Sequence, residues 1–148
     1  MRIEDAIKQR KFQTEYQRAI INLLYTSNWL RDQRIGIFKP FGLTTAQYNV
    51  LRILNGSAPK PLSAGAIKEV MLDKSPDLTR LLDKLCERGF VNREICAQNR
   101  RKMDITITKA GKQLLKDIEP DVAQLSHSGK ITTEEANELS RILDKLRS

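Results

Sequence analysis

The chain has few of the groups that most enzymes and metal sites are built from. It has one histidine, His127, and two cysteines, Cys86 and Cys96, with no spacing that suggests a four-ligand zinc site. A nucleophile–base pair would have to join one of those cysteines to the sole histidine, and no motif ties them together. There is no glycine-rich loop to cradle a phosphate, so the chain reads as a non-enzyme without metal or cofactor. Aromatic residues are only 5%, which argues against a binder that stacks single-stranded bases on Tyr, Phe or Trp. The longest apolar run, "AIINLLY", is broken by Asn22 and cannot span a membrane. The opening "MRIEDAIKQRKFQTEYQ" is too polar for a signal-peptide core, so the expected location is the cytoplasm.

What is present is positive charge on a foldable scaffold. Lys and Arg total 26 against 18 Asp and Glu, a net +8, which favours a polyanionic partner. At 148 residues and 40% hydrophobic content, one domain with its own core and accessory helices is expected.

From about Glu4 to Arg34 the spacing is helical, with Phe12, Tyr16, Ala19, Ile20, Leu23, Leu24 and Leu30 on a wide apolar face. "GIFKPFG" should end that helix through its glycines and Pro40. Thr44 with Gln47 forms a capping-box pair ahead of a helix whose core positions are Val50, Leu51 and Leu54. Ser63 caps a short helix, "AGAIKEVML", and a tight turn leads into "KSPDLTRLLDKLCERGFV". There the spacing predicts a helix over 76–88, capped by Ser75, with Pro76 in its first turn and Gly89 closing it. Leu78, Leu81, Leu82 and Leu85 make the inward stripe; Asp77, Thr79, Arg80, Asp83 and Lys84 lie on the outer side.

The period then changes. "FVNREIC" and "KMDITIT" alternate as strands, with Met103, Ile105 and Ile107 on one side and Asp104 and Thr106 on the other. Between them "AQNRR" places Arg100 and Arg101 at a hairpin tip. Thr108 caps the next helix, where Pro120 should cause a kink or break near Glu119. His127 is placed to meet that helix's negative end, and Thr132 with Glu135 opens a last helix striped by Ala136, Leu139, Leu143 and Leu146.

The fold class is therefore mainly α with a small β-hairpin wing: a winged helix-turn-helix between N- and C-terminal dimerisation helices. The expected divisions are 1–36 and 111–148 for dimerisation and 37–110 for the DNA-binding lobe. A helix about 10–12 Å across fits the 12 Å major groove, with Arg80 reaching a guanine edge or a phosphate and Lys84 a phosphate. A wing arginine can enter the adjacent minor groove. A winged helix that binds proteins, or an anti-repressor with a vestigial basic face, remains the alternative. Cys86 reads as a small buried hydrophobe, and Cys96 as a more exposed thiol beside Arg93 and Arg100.

"KPFGLTTAQYNVLRIL", "DKSPDLTRLLDKLCERGFVNRE" and "NRRKMDITITKAGKQLL", in this order, resemble the multiple-antibiotic-resistance regulator (MarR) family. The resemblance implies a homodimer whose two recognition helices enter successive major grooves of a pseudo-palindromic double-stranded operator, with repression as the expected outcome. It places Ser63, Ser75, Asp77, Thr79, Arg80 and Lys84 toward DNA, with Arg93 and Arg100 or Arg101 on the backbone or in the minor groove. Where the family's wing commonly has an aspartate before its arginines, this chain has Asn99, so a looser wing is expected. Tyr25 and Trp29, one turn apart, are candidates for lining a pocket where family members bind small phenolic effectors; packing is the plainer role for both.

Overall fold

The computed structural model describes residues 1–127 and 129–148. In chain order the elements are α1 (Ile3–Ala6), α2 (Glu15–Phe38), a 3-10 turn (Lys39–Phe41), α3 (Thr45–Ser57), α4 (Ala64–Val70) and α5 (Leu78–Glu87). The hairpin β1 (Val91–Ile95) and β2 (Met103–Ile107) follows, then α6 (Lys109–Ser126) and α7 (Thr133–Arg147).

Short polar residues set most helix starts. Thr14, Thr44, Ser63, Asp77, Thr108 and Thr132 each accept a first-turn backbone N–H. Thr44–Gln47 and Thr132–Glu135 are complete capping boxes, as the sequence predicts.

The core lies in the middle of the chain. Leu51 and Leu54 of α3, Ile67 of α4, Leu82 and Leu85 of α5, Val91 and Ile105 of the hairpin and Ile118 of α6 are all essentially inaccessible to water. Phe38 ends α2 inside this core, stacked on Tyr48 with ring centroids 4.3 Å apart. The hairpin pairs antiparallel from Val91↔Ile107 to Ile95↔Met103, and Leu62 adds one bridge to Ile105. Ile105 and Ile107 are buried on the predicted face, and Met103 lies further out toward the tip.

Four local expectations need correction. The first segment is not one helix from Glu4 to Arg34. The chain leaves the helix after Ala6, takes a positive φ at Lys8, and restarts only where Thr14 accepts the Gln17 N–H, so Phe12 is outside any helix. Gly36 does not stop α2, which runs to Phe38; the stop comes just before Pro40, which cannot extend the helical hydrogen bonding. Pro120 does not break α6. It sits on the exposed side, where water can meet the Lys116 carbonyl that it leaves without a donor.

The fourth correction concerns the recognition helix, which starts at Leu78 with Asp77 as its cap, rather than at 76 with Ser75. Ser75 is already engaged: its N–H and hydroxyl both donate to Asp73 Oδ1, at 2.9 and 2.7 Å. Those two bonds hold the Asp73 carboxyl below its ordinary pKa. The Pro76 carbonyl is met by Lys68 Nζ at 3.1 Å, which fixes the turn before the helix begins.

Candidate nucleic-acid interface

The α5 helix turns its leucine face inward and a polar face outward. Leu78, Leu81, Leu82 and Leu85 are buried, while Thr79, Arg80 and Lys84 are exposed. Among the described residues, no hydrogen bond or ion pair engages the side chains of Thr79, Arg80 or Lys84. A short hydroxyl and two long cations therefore stand on one surface, able to reach a polyanion without first breaking a bond. Asp77 does not share that freedom, because its Oδ1 accepts the Arg80 N–H at 3.2 Å. Ser63 likewise caps α4 through the Ala66 N–H at 3.2 Å.

Arg93 faces inward across the lobe. Its Nη2 lies 2.6 Å from Asp83 Oδ1, tying β1 to α5. The Asp83 hydrogen bond pushes the Arg93 pKa up, outweighing partial desolvation, with smaller help from the Cys86 sulfur beside it. Arg93 is thus a strut between wing and recognition helix rather than a free cation.

At the wing tip Arg100 and Arg101 are exposed, and neither guanidinium has a partner among the described residues. Asn99 Oδ1 accepts the Arg101 N–H at 3.1 Å. Lys102 donates its backbone N–H to the Asn99 carbonyl at 3.0 Å, and Cys96 donates to the Lys102 carbonyl. The loop is closed by backbone bonds, and its two arginines project from it. Cys86 and Cys96 are free thiols, each half-buried. His127 turns Nδ1 toward the Ala123 carbonyl at 3.0 Å, at the end of α6.

Two contacts that position this surface have no local sequence signal. Lys68 holds the Pro76 carbonyl, and Asn49 Oδ1 accepts the Leu72 N–H at 3.0 Å. Both depend on α3, α4 and the following turn being packed together.

Away from this surface, a cleft of about 600 Å³ opens between the later part of α2 and the end of α6. Trp29, Asp32, Gln33 and Ile37 line one wall and Asp121, Gln124 and Leu125 the other, with Lys130 Nζ 6.0 Å from the Trp29 ring centroid. Tyr25 is not among the lining residues. Among the described residues no group of three His, Cys, Asp or Glu side chains could hold a metal ion, and no helix is long and apolar enough to cross a membrane.

Residues 43–103, from the end of the α2–α3 turn to the start of β2, match the family model described as "MarR family". A MarR transcription factor from Planctomyces limnophilus is 34% identical, with a TM-score of 0.70 over 90% of this chain and 98% of that one. A mutant E. coli MarR solved with operator DNA is 26% identical, with a TM-score of 0.71 over 84% of this chain and 91% of that one. The S. aureus MepR–DNA complex shares the fold, with a TM-score of 0.74 at 18% identity over 85% of this chain and 91% of that one. Identity carried across almost the whole of a MarR transcription factor, on a helix pair backed by an arginine-tipped hairpin, makes this chain a winged-helix member of the MarR family of transcription regulators.

Proposed function

We propose that the protein binds double-stranded DNA sequence-specifically as a homodimer, on a pseudo-palindromic operator in the cytoplasm, and represses transcription from it. In this reading Thr79 and Arg80 face base edges, while Lys84, Arg100 and Arg101 take phosphates or the minor groove. Ser63, Ser75, Asp77 and Arg93 act indirectly, by shaping the turn, capping the helices and holding the wing.

One observation carries the dimer. The α2 helix is 24 residues long and buries only Phe38, and α7 buries nothing. Tyr16, Leu24, Leu139 and Leu146 are between 50% and 86% exposed on those two helices. A second copy that covers these side chains would take them out of water, and a two-fold partner matches a two-fold DNA site. Divisions at 1–36, 37–110 and 111–148 follow the same logic, with the first and last segments supplying the subunit contact. The Trp29 cleft, between the later part of α2 and the end of α6, is where a small phenolic effector would act.

Sedimentation combined with fluorescence anisotropy on duplexes selected from random DNA tests this. The expected complex contains two chains per duplex and survives competitor DNA. Three phosphate contacts per chain give a log–log salt slope of about −5. A single chain per duplex, or equal affinity for every duplex, would overturn the proposal.

A further inference from the structure

The turn that joins α2 to α3 is gripped from the far end of the recognition helix. Arg88, the residue after α5, donates Nη1–H to the Gly42 carbonyl at 2.7 Å and Nη2–H to the Phe41 carbonyl at 2.9 Å. Its guanidinium also lies 4.8 Å from the Phe90 ring centroid. Gly42 has φ +66°, and a Cβ there would come within 3.3 Å of Arg88 Nη2, so the turn passes close against the guanidinium.

Both ends of this link are rigidly attached. On the α2 side, Gly42 donates its N–H to Lys39 O at 3.0 Å and Leu43 to Phe38 O at 3.2 Å, which splices the turn onto the helix. On the α5 side, the Arg88 N–H returns to the Lys84 carbonyl at 3.2 Å. Lys84 is the last exposed cation of the DNA-facing stretch, so the grip begins one helical turn beyond it.

We infer that Arg88 is a positioning residue: it sets the tilt of α5 against α2 and thereby the spacing between the two recognition helices of the dimer. The inference rests on the dimeric reading above. The leucines beneath α5 bury area but have no preferred direction, whereas a planar fork on two successive carbonyls fixes orientation. Ten residues make α5 about 15 Å long, so a tilt of about 10° moves its tip by about 2.6 Å. That approaches the 3.4 Å rise of one base step. Small errors in tilt would therefore blur the distance that the dimer measures between half-sites. Arg88 is not placed as a phosphate contact, since both outer nitrogens are already donating to carbonyls.

The test is spacing tolerance. Wild type, Arg88→Gln and Arg88→Lys, all as full chains, are titrated by anisotropy on duplexes with the selected half-site spacing and with one base pair added or removed. Wild type is expected to lose about tenfold or more for either change, the scale of one poor base pair. Arg88→Gln should lose no more than about threefold, and Arg88→Lys, with one donor point for two carbonyls, should fall between them. Salt slopes should be the same for all three.

Full spacing discrimination in Arg88→Gln, with only a lower Tm, would reduce the contact to ordinary stabilisation and overturn the inference. A slope shallower by about 0.9 per chain would make Arg88 a phosphate ligand and overturn it too. Wild type indifferent to spacing would instead remove the dimeric reading, and the inference with it.

Discussion

Replacing Asp77 separates helix capping from base reading. Its carboxylate accepts the Arg80 N–H at 3.2 Å, satisfying one of the donors left over at the start of α5. Asp77→Ala removes that bond, which should cost about 1 kcal/mol and lower the Tm by about 3–4 °C. Asp77→Asn keeps a capping oxygen without the charge, so the Tm should stay within about 1 °C of wild type. On DNA the charge works against binding. At about 8 Å from a phosphate in water, two negative charges repel by about 0.5 kcal/mol, and with one such pair on each of two chains Asp77→Asn should bind about fivefold more tightly on every sequence. Differential scanning fluorimetry and anisotropy on single-base operator variants read the two effects separately. If Asp77 instead accepts a hydrogen bond from cytosine, Asp77→Asn would keep its Tm and lose about tenfold or more in discrimination at one base pair. That result would refute the reading of Asp77 as a cap whose charge only repels DNA, and an unchanged Tm in Asp77→Ala would refute the capping itself.

Other substitutions probe the wing and the core. Asp83→Ala and Arg93→Ala should destabilise non-additively, with a coupling of about 0.5–1 kcal/mol because the pair is partly in water, and the double mutant should resemble either single. Strict additivity in thermal denaturation would show that the strut carries no load. Arg100→Ala with Arg101→Ala should weaken binding most on A·T-rich flanks; equal loss on all flanks in anisotropy would exclude minor-groove insertion. Gly111→Ala would put a Cβ 2.4 Å from the Phe90 carbonyl oxygen and 2.7 Å from Ile107 Cγ1, so α6 must shift off the wing. A loss of about 1–3 kcal/mol is expected, and an unchanged Tm would contradict the packing described.

The parts of this fold that could be read from the sequence are those decided by neighbours a few residues apart. The Thr44–Gln47 and Thr132–Glu135 boxes, the leucine stripe of α5 and the alternation of Ile105 and Ile107 depend on spacing alone. What could not be read was decided at a distance or by competition between similar groups. Ser75 and Asp77 are both good caps; Asp73 captures the first, and Lys68 pins the carbonyl between them. Arg93 reads from the sequence as a cation for DNA, because no local spacing shows that Asp83 lies 2.6 Å from it across the α5–β1 corner. Arg88 carries no local signal for the same reason, its partners being 46 and 47 residues away. The break after Ala6 carries no Gly or Pro to announce it. Within the candidate interface, the residues expected to be free that remain so are Thr79, Arg80, Lys84, Arg100 and Arg101, all on exposed faces of locally determined elements.

In the proposed complex two copies of α5 lie in successive major grooves on one side of the duplex. Hydroxyl-radical footprinting on a selected operator measures this directly. Two protected patches on the same face, centred about 34–36 Å or roughly ten base pairs apart, are expected. One patch, or protection spread evenly around the helix, would contradict it.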